Sequence, residues 1–189
     1  MLKPIILFAA LILPGCIFFF LKVFGDNQFD IPTYYQEQYE FETLSCEQLS
    51  APYAVNNRAF EQLTQESKNR LNSGTISIIA VALNNDDTKN YTKYIAQLKD
   101  RLEDDVQMVL LMNSTINDNA HTPNADVVLG AKEQQMNDII KCTLLITDND
   151  NKWVLLDKEN RIRGYYKNTQ KEIDRLAGEV KVLLDGEDK

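Results

Sequence analysis

Apolar positions along the chain follow three rhythms, and each predicts a different element. Residues 4–21, PIILFAALILPGCIFFFL, are uninterrupted by charge. With Val23 and Phe24 beyond Lys22 they reach the length at which a helix crosses the hydrocarbon of a membrane. Residues 75–83, TISIIAVAL, and 106–112, VQMVLLM, are shorter continuous apolar runs, the pattern of strands buried on both faces of a sheet. Between them Tyr91, Ile95, Leu98 and Leu102 recur at helical spacing. Asp87 or Thr88 is placed to cap the first turn of that helix after the polar loop Asn84-Asn85-Asp86-Asp87. Strand, helix and strand in this order predict a right-handed crossover joining a parallel pair.

The rest of the chain builds around that unit. Asn56 or Asn57 can cap a helix that places Phe60, Leu63 and Leu71 on one side and stops at Asn72-Ser73-Gly74. Residues 113–126 are polar and break the pattern, a helix over 131–141 follows, and CTLLIT after it reads equally as a strand or a helix end. KWVLLD at 152–157, a KENR turn and IRGYY at 162–166 predict a hairpin, and a final helix aligns Ile173, Leu176, Ala177, Val180 and Leu183. The stretch from Gly25 to Tyr53 is rich in aromatics but shows neither period, which predicts an extended, partly packed lead-in. The order β-α-β followed by β-β-α predicts an α/β fold of thioredoxin-like plan, a mixed sheet flanked by helices, preceded by a single N-terminal transmembrane helix. The expected organisation is an anchor at 1–25, the lead-in at 26–55 and the folded domain at 56–189.

Two other fates of the first segment stand beside the uncleaved anchor. Leu13-Pro14-Gly15-Cys16 has the outline of a lipoprotein signal ending at Cys16, although proline is atypical there and IFFFL would be an odd mature terminus. A cleaved secretory signal is the other. Length favours the anchor, and Pro14-Gly15 is tolerated in membrane helices. The flanking charges, Lys3 before the segment and Lys22, Asp26 and Asp30 at or beyond its end, favour a domain outside the cytoplasm.

Composition changes this picture mainly by exclusion. The 189 residues carry a formal net charge of −8, which repels phosphate backbones and argues against nucleic acid as a partner. There are three cysteines and one histidine. Cys16 lies in the apolar segment, which leaves Cys46 and Cys142, far apart and without CxxC spacing. That excludes zinc-finger, thioredoxin-type and haem-attachment patterns. The two can pair as a structural disulfide in an oxidising compartment, or Cys142 can be a buried apolar residue. With His121 alone, no site needing two imidazoles can be assembled within one chain.

The closing segment WVLLDKENRIRGYYKNTQKEIDRLAGEVKVLL resembles the end of Sco/SenC proteins, with a strand ending in Asp, a charged turn, an IRGYY strand and a terminal helix. LKVFGDNQFDIPTYY is similar to the anchor-to-domain junction of bacterial members of that family. The resemblance implies a CxxxC copper or redox motif after the first core strand and a histidine shortly before the strand matching KWVLLD. Here the loop is Asn84-Asn85-Asp86-Asp87-Thr88-Lys89, and residues 147–152 contain no histidine. Copper(I) selects soft thiolates, so these side chains cannot replace them. The family's copper-delivery and thiol-reductase roles are therefore not carried over.

Asp86 and Asp87, and again Asp148-Asn149-Asp150-Asn151, are oxygen-rich enough to suggest a hard cation, but helix capping and a polar turn account for them without one. His121 has no partner placed beside it and reads as a loop histidine. The sequence assigns no catalytic residue, no cofactor-binding residue and no metal ligand. The expected function is that of a non-enzymatic Sco-like accessory protein acting through a protein partner, in the setting of respiratory-enzyme assembly. Its expected place is the bacterial inner membrane, single-pass, with the C-terminal domain extracytoplasmic. Two alternatives are a thiol-dependent oxidoreductase using Cys46 or Cys142, against which Glu47 beside Cys46 counts, and a peptide- or small-molecule-binding module. The second would use Tyr34, Tyr35, Tyr39 and Phe41, aromatics that can equally pack over the sheet.

Overall fold

The computed structural model describes residues 12–19, 31–37, 46, 49–61, 63, 74–102, 106–114 and 125–186. Two compact units, Met1–Asp30 and Ile31–Lys189, divide the chain. In the first, residues 12–19 are helical, with Leu13, Ile17, Phe18 and Phe19 exposed. Among the described residues no helix is long and apolar enough to cross a membrane. Within the described residues the transmembrane helix expected at 4–21 is therefore not supported: the eight helical residues described there rise about 12 Å, against about 30 Å of hydrocarbon. The remainder of that segment, with Lys3 and Lys22, lies outside the described residues.

The second unit opens with a four-residue helix α1 (Arg58–Glu61), whose start is held by Asn56, its Oδ1 accepting the Arg58 N–H at 2.9 Å. Phe60 is buried and Leu63 partly so; Leu71 and the expected stop at Asn72-Ser73 lie outside the described residues. The crossover follows as β1 (Ile76–Ala82), α2 (Asn85–Arg101) and β2 (Val106–Asn113). Every residue of β1 is buried, as a continuous apolar run requires at the middle of a two-layered sheet. Next come β3 (Val127–Ala131), α3 (Glu133–Asp138) and a π-helical turn (Ile139–Thr143). The chain closes with β4 (Asn151–Leu156), β5 (Ile162–Lys167) and α4 (Gln170–Gly186).

The sheet order is β3-β2-β1-β4-β5. β1, β2 and β3 are mutually parallel, and β4 is antiparallel to both β1 and β5. This is the thioredoxin-like arrangement with one added strand, β3, on the β2 edge. Alternation along the strands divides the apolar side chains between two cores. On one face Ile76, Ile78, Met108, Leu110, Trp153 and Tyr166 meet α2 and α4. Ile79, Val81, Val109, Leu111, Val154 and Ile162 meet α3, the π-helical turn and the lead-in on the other.

Three details depart from the expectations. α2 begins at Asn85, not near 88, so only Leu83 and Asn84 remain between β1 and the helix. β3 was not expected, since Val127-Val128-Leu129 is too short a run to announce a strand; its pairing is the continuation of the parallel ladder from β2, Val109 opposite Val127. CTLLIT is neither strand nor helix proper. It carries the end of the π-helical turn, with the Leu144 N–H donating to the Ile139 carbonyl at 2.7 Å, and then Leu145 at φ 53°, a left-handed residue that ends helical winding.

Candidate functional site

Open α/β sheets form their binding crevice at the carboxyl ends of the parallel strands. β1 and β4 run antiparallel with Ala80 opposite Trp153, so Leu83-Asn84 and the turn before β4 share that end of the sheet. Leu83 and Asn84 are exposed. The expected loop 84–89 and the stretch 147–152 are thus brought to one end, although residues from Asn85 onward are helical. In the turn, Asp148 Oδ1 accepts the Asp150 N–H at 3.0 Å, an Asx turn that closes without a ligand. Lys167 Nζ lies 3.0 Å from Asp150 and 3.7 Å from Asp148, and its hydrogen bond to Asp150 raises its pKa. Among the described residues no group of three or more His, Cys, Asp and Glu is placed to hold a metal ion. His121 lies outside the described residues.

Cys46 and Cys142 are joined in a disulfide, with a Cα–Cα distance of 5.5 Å and a sequence separation of 96. It ties the lead-in to the π-helical turn. Cys16 is a free, exposed cysteine. Around the tie, three phenols converge on the carbonyls that a helix terminus leaves without partners. Tyr53 donates to Thr143 O at 2.8 Å, Tyr165 to Leu144 O at 2.8 Å, and Tyr35 to Leu145 O at 3.1 Å. Rings of Tyr34 and Tyr165 meet edge-on at 5.5 Å, those of Tyr35 and Tyr53 at 6.4 Å. Burial, with the neighbouring Tyr35, pushes the Tyr53 phenol up to about 12, and burial also raises Tyr165. Tyr35 is therefore a packing and hydrogen-bonding residue at the rim of the second core, whereas Tyr34 is exposed and meets the Tyr165 ring; Tyr39 and Phe41 lie outside the described residues. The aromatic richness of the lead-in pointed to packing, but no sequence signal links Tyr35, Tyr53 and Tyr165 to one turn.

The segment that carries the Sco/SenC resemblance owes its form to Asp157. Its carboxylate is buried, 4% exposed, and accepts the Glu159 and Arg161 N–H groups at 3.1 and 2.9 Å, Arg161 Nε at 2.8 Å and the Arg163 guanidinium at 3.4 Å. Arg163 also donates to the Ile31 carbonyl, binding the lead-in to the hairpin. Gly164 is required because a Cβ there would stand 2.3 Å from the Tyr166 hydroxyl and 2.7 Å from its ring carbon. Tyr166 is buried beneath Arg175 and donates to Glu179.

No protein-family model matches the sequence, and no curated protein matches it. Its structural neighbours include Sco/SenC proteins. A SCO1/SenC family lipoprotein from Bacillus anthracis shares 13% identity over 60% of this chain and 83% of its own, with a TM-score of 0.43. BsSco, described as a member of the Sco family of cytochrome c oxidase assembly proteins, shares 13% identity over 80% of this chain and 94% of its own, TM-score 0.45. The thioredoxin domain of a thiol-disulfide oxidoreductase from Bacteroides vulgatus shares 10% identity over 57% of this chain and 81% of its own, TM-score 0.43. Function resides in the side chains grafted on a fold, so the activity of this chain is argued from its own residues.

Proposed function

We propose that this chain is a Sco-like protein of the bacterial inner membrane, anchored by its apolar N-terminal segment with the domain extracytoplasmic, which acts by contact with a protein partner and not by carrying copper or cycling thiols. One observation carries the reading: Cys46 and Cys142 are joined to each other between lead-in and turn, while the crevice end of the sheet presents Leu83, Asn84 and Lys167 with Asp148 and Asp150. Those groups are too hard for copper(I). The hairpin and helix that resemble Sco/SenC proteins support the setting of respiratory-enzyme assembly, and the uncharged run at 4–21 supports the anchor.

Two measurements on the detergent-solubilised full chain test this. Copper(I) titration against a competing chelator should show no stoichiometric tight binding, and a tight one-to-one complex would overturn it. A pull-down from solubilised membranes should retain a membrane enzyme or an assembly partner; retention no different from a control chain removes the contact reading.

The joined pair also favours a second reading, thiol–disulfide exchange by Cys46 and Cys142 as an activity. Dithiol oxidation that persists unchanged with both cysteines replaced by serine eliminates it.

A further inference from the structure

The two edges of the sheet are finished differently. Along β5 the Ile162 carbonyl accepts the Tyr34 N–H at 2.9 Å and the Tyr165 carbonyl accepts the Arg175 guanidinium at 2.9 Å, so the lead-in and α4 cover part of that edge. β3 is the other edge. Its residues, Val127-Val128-Leu129-Gly130-Ala131, include no charge and no proline, the devices by which edge strands turn away a neighbour.

The ladder fixes which peptide groups β3 offers. The Ala131 carbonyl accepts the Ser114 N–H at 2.8 Å where Asn113 pairs with Ala131. Peptide groups alternate in direction along a strand, so Val127, Leu129 and Ala131 turn theirs to β2, and Val128 and Gly130 turn theirs outward. Gly130 is exposed and Val128 half-buried, and their outward N–H and C=O groups meet no partner among the described residues. The side chains of Val127, Leu129 and Ala131 are buried in the second core, so a strand added at this edge leaves that core as it is.

The segment is complementary to itself about Leu129. Asp126 and Lys132 stand at equal distances on either side of it, and Lys132 keeps an extended backbone, φ −68° and ψ 156°, so the strand direction runs on to it. The Asp126 carboxylate is 40% exposed, with Lys99 on one oxygen and the Met108 N–H at 2.7 Å on the other. Lys132 is exposed. An identical strand laid antiparallel along this edge, Leu129 facing Leu129, sets Val128 opposite Gly130 and Asp126 opposite Lys132. Each valine side chain then meets a position without one, and each charge meets its opposite.

We propose that β3 is a homodimerisation edge, at which two copies of this chain pair antiparallel about a two-fold axis at Leu129 and join their sheets into one. The Val128 N–H donates to the Gly130 carbonyl of the second copy, the Gly130 N–H to the Val128 carbonyl of the second copy, and the axis repeats both. A strand of another protein would find the same peptide groups but not the matched charges, which is what makes a second copy the occupant. The pairing is short, so the dimer forms and parts with concentration. It stands whether or not the domain also has a partner of different sequence.

The test is sedimentation equilibrium of the full chain in density-matched detergent over a concentration series, with amide hydrogen exchange measured at both ends of the series. The mass should rise from one copy to two, and the Val128 and Gly130 amides should exchange more slowly in the concentrated sample. Lys132→Glu replaces attraction with repulsion at both ends of the strand pair and should weaken the dimer about tenfold. Acid at a helix start is tolerated, so its urea midpoint should hold. Gly130→Pro removes an outward donor and no bond of the β2 ladder, and should abolish the dimer; if it does not fold, Lys132→Glu decides. Three results overturn the edge: a single copy at every concentration, a dimer whose Val128 and Gly130 amides exchange as in the monomer, as association through the apolar N-terminal segment would give, or a dimer indifferent to Lys132→Glu.

Discussion

Gly164 shows how a single missing side chain organises a strand. Alternate residues of a strand face the same way, and the Tyr166 ring fills the space that a side chain at position 164 would need. Because Tyr166 is fully buried and packed against Arg175, it cannot swing aside freely. Gly164→Ala should therefore cost about 1–3 kcal/mol, the range for overpacking a filled site, read as a lower urea midpoint at unchanged slope. The tyrosines make a second residue-scale prediction. Burial raises Tyr53 to about 12 and raises Tyr165 and Tyr166 as well. A phenol whose folded pKa exceeds its unfolded value near 10 stabilises fully below about pH 10 and loses that contribution as pH climbs through the folded value. Urea midpoints should thus hold from about pH 8 to 9 and fall above 10. Tyr165→Phe, which removes a hydroxyl bond worth about 1 kcal/mol at neutral pH, should come closer to the unsubstituted protein as the pH rises.

At the scale of elements, the hairpin of β4 and β5 stands or falls with Asp157. Its carboxylate gathers two backbone N–H groups and two arginines in a buried site. Asp157→Ala leaves those donors without their acceptor and should cost about 3 kcal/mol or more. Asp157→Asn keeps an oxygen for the backbone donors and should cost less, an order that thermal unfolding of the two variants can check. The same segment marks what sequence reading reaches. Continuous apolar runs identified β1 and β2, and helical spacing of Ile173, Leu176, Ala177 and Val180 identified α4, since each signal comes from one element's own burial. β3 escaped because three apolar residues beside a polar stretch carry too little period, and its strand form comes from β2. The tyrosine-bonded turn escaped for a like reason: Tyr35 and Leu145 are 110 residues apart, and no local pattern records such a contact. The absence of cysteine after β1 was legible directly from the letters, whereas the pairing of Cys46 with Cys142 depends on geometry that only the fold supplies.

On the scale of the whole molecule, β1 is the seam of the sheet. One edge meets β2 in register from Ile76 opposite Val106 to Ala82 opposite Met112, and the other meets β4 from Ser77 opposite Leu156 to Ala80 opposite Trp153. The first neighbour is close in the chain and comes with the crossover; the second arrives only after the whole middle of the protein has been made. Until it does, a strand whose seven residues are all buried in the finished fold has one row of peptide groups open, the template on which strands of other chains pair. A polypeptide interrupted before Asn151 should therefore be not merely less stable but self-associating, recovered in inclusion bodies or as large species in light scattering. Premature termination before β4 thus turns an ordinary sheet into an aggregation nucleus.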